Sequence, residues 1–269
     1  MAVKVLSGKV FLLITGASQG IGRQIAVTFS ELLEPGSKLL LLARSENGLK
    51  ETAHNVSKRV SVDIKGVDLA VTTADQLSEI ITKSVNQVQF DRIIVVHNVG
   101  SIGDVSKFTT DMSDFEEWRK YYDLNVFSPA ILNSVVMKLF KDNTKAKKIV
   151  INITSFAAIQ PMKSVGYYCS GKAAREMYFK VFAEEYPDIN VLNYSPGPVD
   201  TAMLKTFCTT AAYADQRKRT TDIIANNQIL TTEQTVNRLV EVLRDQKYNS
   251  GAFVDYYDGT EKARPRLSK

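Results

Sequence analysis

The sequence is poor in the residues that mark secreted, metal-binding or membrane-spanning proteins. It has two cysteines, Cys169 and Cys208, so no disulfide framework is expected and a reducing compartment fits. Its two histidines, His54 and His97, give no metal cluster. No segment approaches the ~18 uninterrupted apolar residues of a membrane span. The N-terminus, Met-Ala-Val-Lys-Val-Leu-Ser-Gly-Lys, lacks the apolar core of a signal peptide. The cytoplasm is therefore the default location. Charge of one sign is also missing: 34 Lys and Arg face 29 Asp and Glu, a formal charge of +5. The basic residues are scattered apart from short clusters at 145–148, 217–219 and the C-terminal tail, which disfavours nucleic-acid binding. A solvated basic surface, or a site for an anionic cofactor, accounts for them. No Pro/Gly/Ser linker and no internal repeat interrupts the chain.

What is present is alternation. Apolar runs at 9–14, 38–43, 92–96, 147–152 and 190–194 predict strands, most of them apolar on both faces as in a buried parallel sheet, and 60–67 predicts one by the alternation of Val60, Val62 and Ile64. Helical periods follow them: to about 33, 46 to about 56, 73–88, 111 to about 140, 164–186 and 231–246. Pro129 predicts a kink in the long region 111–140. A last strand is expected at 251–257. The fold class is α/β: a single doubly wound, Rossmann-type domain over residues 1–260, with a parallel sheet of about seven strands and helices on both faces. Residues 200–229 are polar and read as a mobile substrate lid of short helices. Residues 261–269 read as a basic, disordered tail.

Several motifs fall where strands end. Thr15-Gly16-Ala17-Ser18-Gln19-Gly20-Ile21-Gly22 lies between a strand and a helix, where glycines let a phosphate approach the backbone and the helix N-terminus attracts it. The second strand ends in Ala43-Arg44, where an NAD site would carry an acidic residue. Arg44 is either a reader of a 2′-phosphate, favouring NADPH, or a surface arginine. Asp68, followed by Leu69, is either a contact to an adenine amine or the cap of a loop. Asn98 and Gly100 fit a turn lying across a cofactor, with His97 packed or capping beside them. Tyr168 and Lys172 stand one helical turn apart on one face, and a strand end delivers Ser155. A phenol beside a fixed cation loses its proton more easily, and a serine hydroxyl can hold a carbonyl oxygen. These are the parts of a carbonyl-reducing acid site. Ser195-Pro196-Gly197-Pro198 is a rigid turn at the same edge, where ligands of doubly wound folds lie.

With these residues in place, the chain resembles the short-chain dehydrogenase/reductase family over nearly its whole length. The elements that carry the resemblance are residues 15–22, Asn98-Val99-Gly100, Asn125, Ser155, Tyr168-x-x-x-Lys172 and Pro196-Gly197. The resemblance implies an NADPH-dependent reductase in which Tyr168 donates a proton, Lys172 binds the nicotinamide ribose and lowers the tyrosine pKa, Ser155 polarises the carbonyl, and Asn125 serves a water-linked relay. It implies a cofactor site of Gly16, Ser18, Gln19, Gly20, Ile21, Gly22, Arg44, Ser45, Asp68, Leu69, Asn98, Gly100, Lys172, Val199, Thr201 and Met203. Stretches 100–107, 168–175, 191–198 and 250–258 are most similar to the pterin-reducing members. They imply a substrate site of Ser155, Phe156, Tyr168, Gly197 and Asp255 and the last step of tetrahydrobiopterin synthesis. Asp255 would anchor the amino-pyrimidine edge; the alternative is a sheet-end cap. A homodimer packed through regions 111–140 and 164–186 is implied too. Gln19 departs from the basic residue of many NADPH users, which shifts the 2′-phosphate to Arg44 with Arg23. Reduction of other small carbonyls or diketones is the alternative within the family, and a non-catalytic dinucleotide-binding regulator the alternative outside it.

Overall fold

The structure, a computed structural model, describes residues 3–260. Seven parallel strands form one sheet in the order β3-β2-β1-β4-β5-β6-β7. They are β1 (Val10–Thr15), β2 (Lys38–Ala43), β3 (Ser61–Gly66), β4 (Arg92–His97), β5 (Lys147–Ile153), β6 (Asn190–Ser195) and β7 (Phe253–Asp255). The helices between them are α1 (Gly20–Leu32), α2 (Glu46–Asn55), α3 (Ala74–Val85), α4 (Phe115–Tyr122), α5 (Ser128–Leu139), α6 (Gly166–Glu185), α7 (Ala202–Thr210), α8 (Ala214–Ala225) and α9 (Thr232–Asp245).

β1 is buried along its whole length, and its alternating side chains serve two cores. Val10, Leu12 and Ile14 pack with α1 and α9. Phe11 and Leu13 face the other way, into the layer of α3 and α5. This two-sided burial is why the strands read as continuous apolar runs. The strand order reverses between β1 and β4, which opens a crevice beyond the carboxyl ends of these two strands. Thr73 and Thr231 begin α3 and α9 with capping boxes completed by Gln76 and Gln234.

Two elements differ from the sequence expectation. Region 111–140 is not one helix kinked at Pro129: α4 and α5 are joined by a π-helical turn, Asp123–Phe127. Pro129 sits in the first turn of α5, where a missing N–H costs little. β7 is shorter than residues 251–257, because the chain turns at once after Asp255, with the Asp258 N–H bonded to the Asp255 carbonyl. Two short helices, α7 and α8, occupy the region expected to form a lid. The basic tail 261–269 lies outside the described residues. Among the described residues, no helix is long and apolar enough to cross a membrane.

Candidate active site

The glycine-rich turn after β1 is built so that only glycine fits. Gly16 has φ +65°, and a Cβ on Gly22 would lie 2.4 Å from the Gly16 carbonyl oxygen and 2.5 Å from Asn98 Nδ2. Asn98, at the end of β4, holds the turn by donating to the carbonyls of Thr15 at 3.0 Å and Gly16 at 3.2 Å. This tight cradle opens α1 at Gly20, with Gln19 as an extended N-cap. A dinucleotide phosphate fits such a backbone cradle.

Around it the expected cofactor residues separate into groups. Arg44 is exposed immediately after β2 and makes no hydrogen bond or ion pair among the described residues. Ser45 caps α2 by accepting from the Gly48 N–H. Arg23 does not join Arg44: its guanidinium pairs with Glu51 and also donates to the Ser18 carbonyl and Thr52. The sequence expectation that it shares a 2′-phosphate is corrected, because those donors are committed within the protein. Asp68 accepts from the Ala70 N–H at 3.1 Å and so caps its loop, while Leu69 is buried in the α3–α5 core. Both lie away from the catalytic cavity. Asp68 borders an open groove of about 580 Å³ between β3 and α3, larger than the catalytic cavity but lacking its chemistry.

The candidate catalytic groups Ser155 and Tyr168 line a cavity of about 340 Å³ at the carboxyl ends of β5, β6 and β7. Ser155 and Tyr168 stand on one wall, with Phe156 beside them. Ile21 enters from α1, Gly197 and Val199 from the loop after β6, and Thr201 and Met203 from the start of α7. Asp255 lies in the wall that β7 contributes. Five lining residues were not singled out from sequence: Ile102, Met162, Val165, Leu204 and Phe207. They are ordinary apolar positions, and nothing in their spacing marked them. Ser195, which opens the turn singled out from sequence, pairs with Asp255 in register and donates to its Oδ2 at 2.6 Å, a contact the sequence does not show.

Tyr168 is held on α6 by the phase of the helix. The preceding Tyr167 turns into an aromatic cluster with Trp118 and Tyr121 and donates to Glu117. Lys172 Nζ lies 5.5 Å from the Tyr168 ring centre and donates to the Ile153 carbonyl at 2.7 Å, pinning α6 to the end of β5. Burial dominates the protonation of this pair. It raises the Tyr168 pKa, against a hydrogen bond from Ser155 and the charge of Arg175, which lower it. Burial also holds Lys172 well below the usual lysine range, with Arg175 adding to the effect. The expectation of an acidified phenol is therefore corrected for the protein alone, because desolvation outweighs the cations.

Asn125 lies in the π turn and is 4% exposed, so its polar atoms need partners. Its Oδ1 accepts from the Ser101 N–H and its Nδ2 donates to the Tyr121 carbonyl, both at 2.8 Å. The side chain thus fixes the segment after Gly100 to the helix pair. His97 is fully buried, stacked on Phe179 and 3.4 Å from Asn133. Burial and then Arg175 lower its pKa to about 3, so it stays neutral. Asp255 serves two ends: it lines the cavity, and its Oδ1 accepts from the Tyr257 N–H at 3.0 Å to cap the final turn. The arrangement brings a proton donor, a hydroxyl and a buried carboxylate to one cavity beside a phosphate cradle.

Several known proteins are similar to this chain. The family described as short chain dehydrogenase matches residues 10–212. The chain is 37% identical to a sepiapterin reductase of Xenopus laevis over 254 residues, covering 93% of this chain and 97% of that protein. It is 30% identical to a benzil reductase ((S)-benzoin forming) of Bacillus subtilis (strain 168) over 195 residues, 71% of this chain and 75% of that protein. The crystal structure of the KRED1-Pglu enzyme has a TM-score of 0.77 at 26% identity, covering 91% of this chain and 100% of that one.

Proposed function

Because the chain belongs to the short chain dehydrogenase family, we propose that it is an NADPH-dependent reductase of pterin side-chain carbonyls. The substrate would be of the sepiapterin or 6-pyruvoyl-tetrahydropterin type, and the reaction the last step of tetrahydrobiopterin formation. One observation carries the reading: a single cavity joins the Ser155–Tyr168 wall to the buried carboxylate of Asp255. A reducible carbonyl belongs at the first, and the amino-pyrimidine edge of a pterin at the second. A carboxylate accepts two N–H bonds from that edge, and charge-assisted bonds are the strong ones.

The glycine turn and Asn98 would hold the cofactor's pyrophosphate region, Arg44 its 2′-phosphate, Lys172 its nicotinamide ribose, and Val199, Thr201 and Met203 its nicotinamide side. Bound NADPH supplies the hydride. Ser155 Oγ donates to the carbonyl oxygen and fixes its position. The Tyr168 hydroxyl delivers the proton to that oxygen, completing the alcohol. Asn125 keeps the segment beside the cofactor in place. We place the protein in the cytoplasm, where its two free thiols stay reduced, and infer a homodimer through the exposed apolar faces of α5 and α6.

The test is NADPH oxidation with sepiapterin and with simple diketones, for the wild type and Asp255→Ala. The variant should lose sepiapterin turnover by about 10–10² fold, the value of charged hydrogen bonds, and keep diketone turnover. Equal loss on both would make Asp255 a cap only. Wild-type protein that ignores sepiapterin but turns over diketones would retire the pterin reading. It would favour a small-diketone reductase, a second reading supported by the likeness to the benzil reductase and by the apolar lining of Ile102, Met162 and Phe207.

A further inference from the structure

Arg175 is a 2% exposed residue with no carboxylate among its hydrogen-bond partners. It lies on α6 two turns beyond Tyr168 and one turn beyond Lys172, on the same helical face. All three of its guanidinium nitrogens donate. Nε reaches Asn152 Oδ1 at 2.6 Å, Nη1 reaches the Val99 carbonyl at 2.8 Å, and Nη2 reaches the His97 carbonyl. The two carbonyls flank Asn98, the residue that holds the glycine turn.

That strap faces the turn from its other side. The N–H groups of Asn98 and Val99 both donate to Thr15 Oγ1 at 3.0 Å, and the Asn98 amide caps the Thr15 and Gly16 carbonyls. Three layers are therefore stacked by directed bonds: the catalytic helix, main chain 97–99, and the cofactor turn. Asn152 extends the stack sideways by donating to Asn193 at 2.8 Å, which donates in turn to the Gly251 carbonyl at 3.0 Å. Burying a guanidinium costs several kcal/mol unless its donors are satisfied. Packing alone would be met by an apolar side chain of similar volume. The planar fork instead fixes two carbonyls and an amide at once, which neither lysine nor an apolar residue can do.

We infer that Arg175 is a positioning residue that locks the catalytic helix to the cofactor turn through the main chain on either side of Asn98. Tyr168 and the nucleotide cradle thereby keep one relative placement. The inference rests on the dinucleotide reading of the glycine turn and not on the pterin substrate.

The test uses the full chain with Arg175→Met and Arg175→Lys, reading three quantities: NADPH Kd by fluorescence titration, kcat per NADPH-binding site, and Tm. Arg175→Met should raise Kd about tenfold or more and lower kcat by about 10² fold, the cost of a displacement near 1 Å. Arg175→Lys, which keeps the charge but loses the fork, should recover part of the Kd and little of the kcat. A purely structural role would lower Tm while Kd and kcat per binding site stay at wild-type values, and that result overturns the inference. If Arg175→Met does not fold, Asn152→Ser carries the test. Losing the acceptor for Nε should raise Kd by about fivefold, the worth of one hydrogen bond, and an unchanged Kd would overturn the inference. Failure with sepiapterin leaves the Kd readout intact, so the two readings fail separately.

Discussion

Tyr168 keeps its proton more firmly than a tyrosine in water, because burial disfavours the phenolate. A reductase needs that proton in place, so kcat/KM for carbonyl reduction should be level through neutral pH and fall only on the alkaline side. Ser155 bears on this limb too, since its hydrogen bond lowers the phenol. Ser155→Ala should cut the rate and also move the alkaline limb to higher pH. A lower rate with an unmoved limb would show that the two hydroxyls are not coupled. Tyr168→Phe should cost the ~10²–10⁴ fold typical of one acid–base group; full activity in that variant would remove Tyr168 from the chemistry. Much at this scale was readable because it is local: Tyr168 and Lys172 are four apart, and Ser155 ends a strand. Asp255 and Ser195 touch across 60 residues, and Arg23 meets a Glu51 that lies 28 residues on. Such partners leave no mark in local spacing, which is why neither the Arg23–Glu51 nor the Ser195–Asp255 pairing was legible.

Among the elements, the β1–turn–α1 unit has the least slack. A methyl group on Gly22 would collide with a backbone oxygen and with the Asn98 amide, neither of which can swing away. We expect Gly22→Ala to raise the NADPH Kd by at least about tenfold, since the turn must shift by roughly 1 Å. Isothermal titration would read it, and wild-type affinity would show that the turn yields freely. The central strands were legible at this scale because burial on both faces leaves unbroken apolar runs, and the edge strand β3 by its alternation. The break between α4 and α5 was not. Apolar spacing survives a π turn nearly unchanged, and Pro129 signalled a break a few residues too late. Leu69 shows a further limit: the sequence marked its place at a strand end but not that its side chain joins the core beside Leu77.

At the scale of the whole molecule, His97 ties stability to acidity. Its folded pKa is near 3 and its unfolded value is ~6.5. Below pH 6.5 the unfolded chain takes up a proton that the folded one refuses, so this group's contribution is lost as pH falls towards 3. The slope is about 1.4 kcal/mol per pH unit. Urea unfolding at pH 6.5 and 5.0 should differ by roughly 2 kcal/mol from this source, and His97→Asn should flatten the difference. An equal slope in both proteins would mean that other groups set the acid limit. The outer surface carries a second expectation. Phe127 and Ile131 on one side, and Met177 and Val181 on the other, leave large apolar side chains in water. Sedimentation should show a species of twice the 30.0 kDa chain mass, and Val181→Glu should shift it to the monomer. A wild-type monomer at micromolar concentration would end the dimer reading. The seven-stranded parallel sheet followed from the alternation of elements, whereas the pairing of two such molecules depends on a surface that no motif describes.

β7 is the shortest strand and the last to be made, yet it carries the carboxylate of the cavity wall. A ribosome adding about 5–20 residues per second completes β6 roughly 3–12 s before it reaches Asp255. During that interval the nascent chain already contains its phosphate turn, Ser155, Tyr168 and Lys172. On the proposed reading, the parts for proton delivery and cofactor binding are thus synthesised first, and the carboxylate proposed to hold the substrate is added at the end. On that reading, a message that stopped short of β7 would encode the chemistry without its discrimination.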